Sequence, residues 1–308
     1  MLFADVKRCD RSFSSKERTM NLHFLLPKGR LFSACRNYLR LIGCELHDPL
    51  RNGYCGKFES SEFTIHFWAR KPSMIPHLLH DSRFHAGITG EDMFIQAQCP
   101  RLQSLKKLLF SSRMLKATSW VLAGKEPFNI CEDATVGCEW EHLCNYLISR
   151  SVLRSICYQF VLLDGDEETA IEDGLCEWII CPTETGESLK FNGLSVKEEL
   201  MQSGVCVYAR NDIFRKDMEI LENLIAALCA AHDAHQRKMV LFDLPASIPI
   251  QKLELHSSVS PSVSNLVDSK WKAYTTCCHC SDLPTILGTL KKAGAKGIVV
   301  HDVQGYIA

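Results

Sequence analysis

The sequence predicts an α/β protein of two or three domains, and three observations carry that prediction. The chain has 308 residues, where one domain usually holds roughly 100 to 150. Short apolar runs alternate with stretches of helical period along most of its length. Hydrophobic residues make up 46% and charged residues 23%, a composition that supports packed cores and sets aside fibrous and disordered classes.

Residues 1–20 show no period and mix Lys7, Arg8, Arg11, Lys16 and Arg18 with Asp5, Asp10 and Glu17, which predicts a solvated leader. LHFLLP (22–27) reads as a buried strand and PKGR as a turn. A helix follows, with Leu31, Ala34, Cys35, Tyr38 and Ile42 on one face before Gly43. The pattern repeats in the strand FTIHFWAR (63–70), a short helix in MIPHLLH and the strand FHAGITG (84–90). It resumes with TVGC, a helix around EWEHLCNYLIS, the strand YQFVLLD (158–164), a short helix near Glu168 and the strand CEWIICP (176–182). Such alternation implies parallel or mixed sheets flanked by helices. After VCVYARND, Met218, Leu221, Ile225 and Leu228 form one stripe of a connecting helix. From Lys238 the chain reads as a small independent α/β domain: strand, Ser/Pro-rich loop, strand WKAYTTCCHC, a helix capped by Ser281 and stopped by Gly294, and the strand GIVVHDV.

Composition also excludes function classes. Lys plus Arg (35) nearly cancels Asp plus Glu (36), so no global charge points to nucleic acid or an anionic membrane, and anionic ligands must be met by local sites. The sequence lacks the run of about 18 apolar residues that a membrane span needs, and its start has charges of both signs where a secretory signal is apolar, which predicts a cytoplasmic protein. The sixteen cysteines are spread through apolar segments, as small buried hydrophobes. Cys277, Cys278, His279 and Cys280 lack the pair spacing of a zinc site and alternate as a strand does, so no protein-held metal is predicted.

The sharpest chemical signal is TETGESL (183–189), which follows a buried strand. In such a strand-to-helix turn, backbone N–H groups and the hydroxyls of Thr183, Thr185 and Ser188 can converge on a phosphate, with Gly186 permitting close approach. A plain capped helix explains the heptapeptide equally well. Lys28 and Arg30, on a turn of the same kind, can neutralise a polyphosphate, and Thr89, Gly90 and Glu91 form a further small-residue turn.

With its flanks, TETGESL resembles the PRPP (phosphoribosyl diphosphate) loop signature of ATP phosphoribosyltransferases. LPKGRL (26–31), GITGEDM (87–93) after Ile75 and Pro76, LKKAGAKGIVV (290–300) and the SPSVSNL stretch leading to Trp271 agree with the long form of that family in order and spacing. The resemblance covers nearly all of the chain from residue 20.

It implies two α/β domains of the periplasmic-binding-protein type (type II), residues 21–112 with 197–236 and residues 113–196, plus a C-terminal ferredoxin-like α+β regulatory domain over 237–308. It further implies transfer of a phosphoribosyl group from PRPP to ATP, the opening step of histidine biosynthesis, with Mg2+ carried on the diphosphate, L-histidine as inhibitor, and a homo-oligomer, dimer or hexamer. By the same resemblance Lys28, Arg30 and Glu168 belong to catalysis. Thr183, Glu184, Thr185, Gly186, Glu187, Ser188 and Leu189 belong to PRPP, and Arg30, Arg70, Thr89, Gly90 and Glu91 to the nucleotide. The family pattern has aspartate where this chain has Cys181 and His85. The alternative reading is therefore a catalytically weakened relative that binds ligands. An intact cleft predicts that Cys181→Asp strengthens PRPP binding; a site repacked around the sulfur predicts instead a buried carboxylate without partners and a destabilised variant with no gain in activity.

Overall fold

The computed structural model describes residues 20–80, 83–108, 118–127, 133–165, 167–253, 255 and 260–306. The expected leader lies outside these residues, except that Met20 already opens the first strand.

Apolar runs become strands where both faces are covered. The chain begins β1 (Met20–Pro27), α1 (Arg30–Leu41), β2 (Tyr54–Glu59), β3 (Phe63–Arg70), α2 (Ile75–Leu79), β4 (Ala86–Gly90), α3 (Glu91–Ala97) and β5 (Leu102–Leu108). It continues as β6 (Thr118–Gly124), β7 (Ala134–Cys138), α4 (Glu141–Ile148), β8 (Tyr158–Leu162), α5 (Glu167–Ala170), β9 (Trp178–Thr183), α6 (Glu187–Phe191) and β10 (Ser195–Ser203). Then come β11 (Val205–Arg210) and α7 (Arg215–His235), followed by β12 (Arg237–Pro245), β13 (Ser262–Asn265), β14 (Trp271–His279), α8 (Leu283–Lys292) and β15 (Lys296–Asp302).

Three sheets result. The first has the order β2-β3-β1-β4-β11-β5 and is mixed: β1 runs parallel to β3 and β4, while β11 is antiparallel to β4 and β5. One face packs Leu22, Phe24, Leu26, Ile65 and Phe67 against α1 and α7, and the other packs Leu25, Ile75, Leu79 and Tyr208 near α2 and α3. Phe94 of α3 stacks on Tyr208 at 4.3 Å between ring centroids, a geometry that adds to the burial of both rings.

The second sheet has the order β10-β6-β9-β7-β8. β9 is buried on both faces: Trp178 and Ile180 join the core under α4, and Ile179 and Cys181 join the one that includes Ala170 and Leu189 of α5 and α6. The domain division read from sequence needs one correction here. Residues 197–203, expected in the first domain, lie in β10, which pairs with β6 from Ser195 opposite Gly124 to Ser203 opposite Thr118. The chain rejoins the first sheet only at Val205. Charged residues on this outer strand hide its pairing from any apolar pattern.

The third sheet is antiparallel in the order β13-β14-β12-β15, the ferredoxin-like arrangement, with Val240, Phe242, Leu244, Tyr274 and Cys278 packed against Ile286 and Leu290 of α8. The crossover from β12 to β13 holds, among the described residues, a short 3-10 turn, Ile250–Lys252. Ser281, expected to cap α8, does not: Asp282 occupies the cap position, and the Ser281 hydroxyl bonds Asp282 Oδ1 and His279 Nδ1 instead.

Candidate functional site

The TETGESL segment leaves the buried β9 at Thr183, turns through Glu184, Thr185 and Gly186, and enters α6. Gly186 adopts φ 72°, ψ 7°, the left-handed conformation that an L residue with a Cβ disfavours. Its N–H donates to Thr183 Oγ1 at 2.9 Å, which closes the turn. Ser188 Oγ donates to Glu168 Oε1 at 2.8 Å and ties the turn to α5. With only five residues, α6 contributes a weak dipole, so an anion would be met chiefly by the turn itself, whose Gly186 and Glu187 N–H groups donate to Thr183 Oγ1 and Thr185 Oγ1.

Thr118, Glu168, Pro182, Thr183, Glu184, Thr185, Glu187 and Ser188 line a cavity of about 460 Å³. A smaller adjoining cavity of about 150 Å³ shares Thr118 and Glu184, and its wall includes Leu31, Pro72, Gly90, Asp92 and Ser203. The turn from the second sheet thus meets the strand ends of the first across one cleft. Leu189, by contrast, packs inward at 1% exposure, a core residue rather than a ligand contact.

Of the residues expected on the first sheet, Lys28 is exposed on the turn after β1, its N–H donating to Arg70 O at 2.7 Å. Arg30 opens α1, and its side chain lies outside what the structure describes. Arg70 ends β3 beside that turn, with its guanidinium folded back: Nη1 donates to Ala69 O at 2.9 Å and the group lies over the Trp68 ring. Gly90 borders the cleft. Thr89 does not, because it is fully buried and its hydroxyl donates to Pro72 O at 3.0 Å. Glu91 is turned to an ion pair with Lys107 of β5, and its N–H donates to Gly204 O. These two placements correct the expected nucleotide contacts. The small-residue turn holds the sheet end together and presents Gly90 alone.

Neither departure from the family pattern lines the two cavities. His85 precedes β4, at the opposite end of that strand from Gly90, and five residues of strand span about 16 Å. There it accepts the His23 N–H at Nδ1 (3.0 Å), while His23 stacks between His85 and His66 and accepts the Trp68 indole N–H. Burial holds both His23 and His85 below the usual imidazole range, His23 further lowered by its two histidine neighbours. Cys181 is 1% exposed in the core with Val121, Ala123 and Leu189, and burial pushes its thiol well up, with the Glu168 and Glu167 charges adding to the effect.

Thr118 and Asp92 are among the cleft residues that escaped the sequence reading. Thr118 opens β6 and belongs to no motif. Asp92 sits in GITGEDM but signals nothing until folding carries Trp120 and Ser203 to it.

Comparison with known proteins follows the same division. The family model described as HisG: ATP phosphoribosyltransferase matches residues 71–230, and that described as HisG, C-terminal domain, matches 234–305. ATP phosphoribosyltransferase 1 of Geobacter sulfurreducens is 25% identical over 303 residues, covering 93% of this chain and 99% of that protein. A relative named ATP phosphoribosyltransferase from Chlorobium phaeobacteroides is 26% identical over 251 residues, covering 75% and 80%. In fold, the chain is similar to a solved ATP phosphoribosyl transferase (HisG:HisZ) complex from Thermotoga maritima, with TM-score 0.56 and 21% identity over 69% of this chain and 98% of that one.

Proposed function

Because the chain belongs to the ATP phosphoribosyltransferase family, we propose that it joins N1 of ATP to C1 of PRPP in the cleft between its first two sheets and releases pyrophosphate. The observation that carries this reading is the adjacency of the two cavities, which share Thr118 and Glu184 and bring the TETGESL turn opposite Gly90 and Leu31. PRPP takes the larger cavity: the turn's backbone and the hydroxyls of Thr183 and Thr185 receive the 5-phosphate, Ser188 joins them on releasing Glu168, and the carboxylates of Glu184 and Glu168 then accept ribose hydroxyls.

The larger cavity carries Glu168, Glu184 and Glu187 and no lysine or arginine among its described lining. Bare diphosphate is repelled there, and at 4 Å two like charges near a protein surface oppose each other by about 4 kcal/mol. Mg2+ fits this setting as part of the substrate. Among the described residues no group of three His, Cys, Asp or Glu side chains could hold a metal by itself, and a cation arriving on the diphosphate neutralises what the glutamates would repel. Lys28 and Arg30, on the turn beside Leu31, take the charge that develops on the leaving pyrophosphate, and the cleft holds N1 in line with C1. No described helix is long and apolar enough to cross a membrane, and we place the reaction in the cytoplasm.

The test is a coupled assay of purified protein. Product is expected only when ATP, PRPP and Mg2+ are all present, and PRPP binding without turnover would instead favour a ligand-binding relative.

The third sheet is the proposed histidine sensor, on the support of its ferredoxin-like order and the C-terminal family match. α7 and β12 meet at Gln236, so a chain ending there keeps the first two sheets. Residues 20–236 are expected to lose histidine binding in calorimetry and to change the homo-oligomer, while keeping a cooperative melt. Undiminished histidine binding by that fragment would place the effector elsewhere.

A further inference from the structure

The first two sheets are joined by the segment before Thr118 and by the step from Ser203 through Gly204 to Val205. Helix α3 touches the second joint and the strand that follows the first. Asp92 accepts the Trp120 indole N–H at Oδ2 (3.0 Å), on the strand that follows the first joint, and its own N–H donates to Ser203 Oγ (3.2 Å) at the second. Oδ1 accepts the Met93 N–H at 2.8 Å, so neither carboxylate oxygen is idle. One turn along the same face of α3, Gln96 Oε1 accepts the Leu143 N–H at 2.9 Å. That N–H belongs to the first turn of α4, whose cap residue Trp140 supplies no side-chain acceptor, so a residue of the first sheet's helix caps a helix of the second. Space has been left for the arrangement: a Cβ on Gly90 would lie 2.1 Å from Asp92 Oδ1.

We propose that α3 is the pivot of the cleft and that Asp92, with Gln96, is a positioning residue that sets the angle at which the TETGESL turn faces Gly90. The inference rests on the reaction assigned above, and it adds a role for Gln96, which lines neither cavity, and for Asp92, whose carboxylate oxygens are both committed although it lies on the wall of the smaller one. A carboxylate suits the position because both oxygens must accept. Burial raises the Asp92 carboxyl, and the indole, Met93 and Ser203 donors oppose that rise. An asparagine keeps a single acceptor and turns its NH2 toward the remaining donor.

Losing one such bond shifts the balance of open and closed clefts by about tenfold, and a substrate that binds the closed form inherits the factor. Asp92→Asn is therefore expected to raise the KM of PRPP about tenfold at low ATP, and that of ATP likewise at low PRPP. Both return toward wild type when the second substrate is saturating, with kcat little changed, because either substrate closes the cleft for the other. Gln96→Ala should repeat the pattern, and it carries the test alone if Asp92→Asn fails to fold. A second readout is independent of turnover: in protein labelled with 5-fluorotryptophan, the Trp120 resonance, assigned through Trp120→Phe, should move toward its closed position when Mg-PRPP is added to Gln96→Ala. A lower melting temperature with unchanged kinetics and an unresponsive resonance would reduce the contacts to ordinary structure and overturn the pivot. A fall in kcat with unchanged KM values would overturn it equally, by placing Asp92 in the chemistry. A wild type without turnover defeats the reaction assigned above, while the fluorine readout still decides the pivot.

Discussion

Replacing Gly186 by alanine is expected to abolish measurable PRPP binding while the fold remains cooperative. At φ 72° the residue sits where a Cβ is disfavoured, at a cost of roughly 1 to 2 kcal/mol. An alanine relaxes toward negative φ and takes the neighbouring peptides with it. The protein itself does not resist the new methyl, since no heavy atom lies within 4 Å of its position. Stability should therefore fall by no more than the strain. Binding loses far more, because the movement breaks the Thr183–Gly186 closure and misaims several donors together. Each hydrogen bond to a charged group contributes about 1.5 to 3 kcal/mol, so two lost contacts weaken PRPP by at least about a hundredfold. Gly186→Asn separates the causes, because asparagine tolerates the left-handed region. Partial recovery in asparagine identifies the backbone conformation; equal loss in both variants identifies obstruction by the Cβ. Wild-type PRPP affinity in the alanine variant, measured by calorimetry, would remove the turn from the site.

How much of this was readable beforehand depends on the kind of interaction. β1 and β9 announce themselves because strands buried on both faces must be largely apolar, β3 because Ile65, Phe67 and Ala69 make one buried face, and α1 and α7 because one face of each is apolar. β2, β5, β10 and β13 give no such signal, since each lies at a sheet edge where one side meets solvent and polar residues are tolerated. The TETGESL turn was legible because glycine and hydroxyl residues at fixed offsets encode a local conformation. Its cleft partners were not. Asp92 and Trp120 are 28 residues apart and Gln96 and Leu143 are 47 apart, and nothing local in either segment records the pairing. Thr89 shows the same limit from the other side: a hydroxyl in a promising turn is consumed by Pro72 O, a partner that only the folded chain supplies.

Cys181→Asp is the variant for which folded position chooses between the two expectations from sequence. A carboxylate at the end of β9 would strengthen PRPP binding if the side chain pointed into the cleft, but Cys181 points into the core, among Val121, Ala123, Leu189 and Leu194. A carboxyl there finds no donor to replace water and faces the like charge of Glu168, the direction in which the thiol is already pushed. Its folded pKa should therefore rise by about 3 units or more above the usual 3.9. An acid whose pKa is raised on folding holds more protons in the native state, so the variant loses stability as pH climbs above 3.9, until the folded group also ionises. At neutral pH the deficit is about 4 kcal/mol, on the order of 10 °C in melting temperature. The same linkage supplies the control. The deficit should shrink as pH falls toward 4, whereas a misfit of shape alone, as in Cys181→Leu, stays nearly constant with pH. Thermal melts of wild type, Cys181→Asp and Cys181→Leu between pH 4.5 and 8 separate charge from volume. A stable Cys181→Asp with tighter PRPP binding would show instead that this end of β9 opens to the cleft in solution.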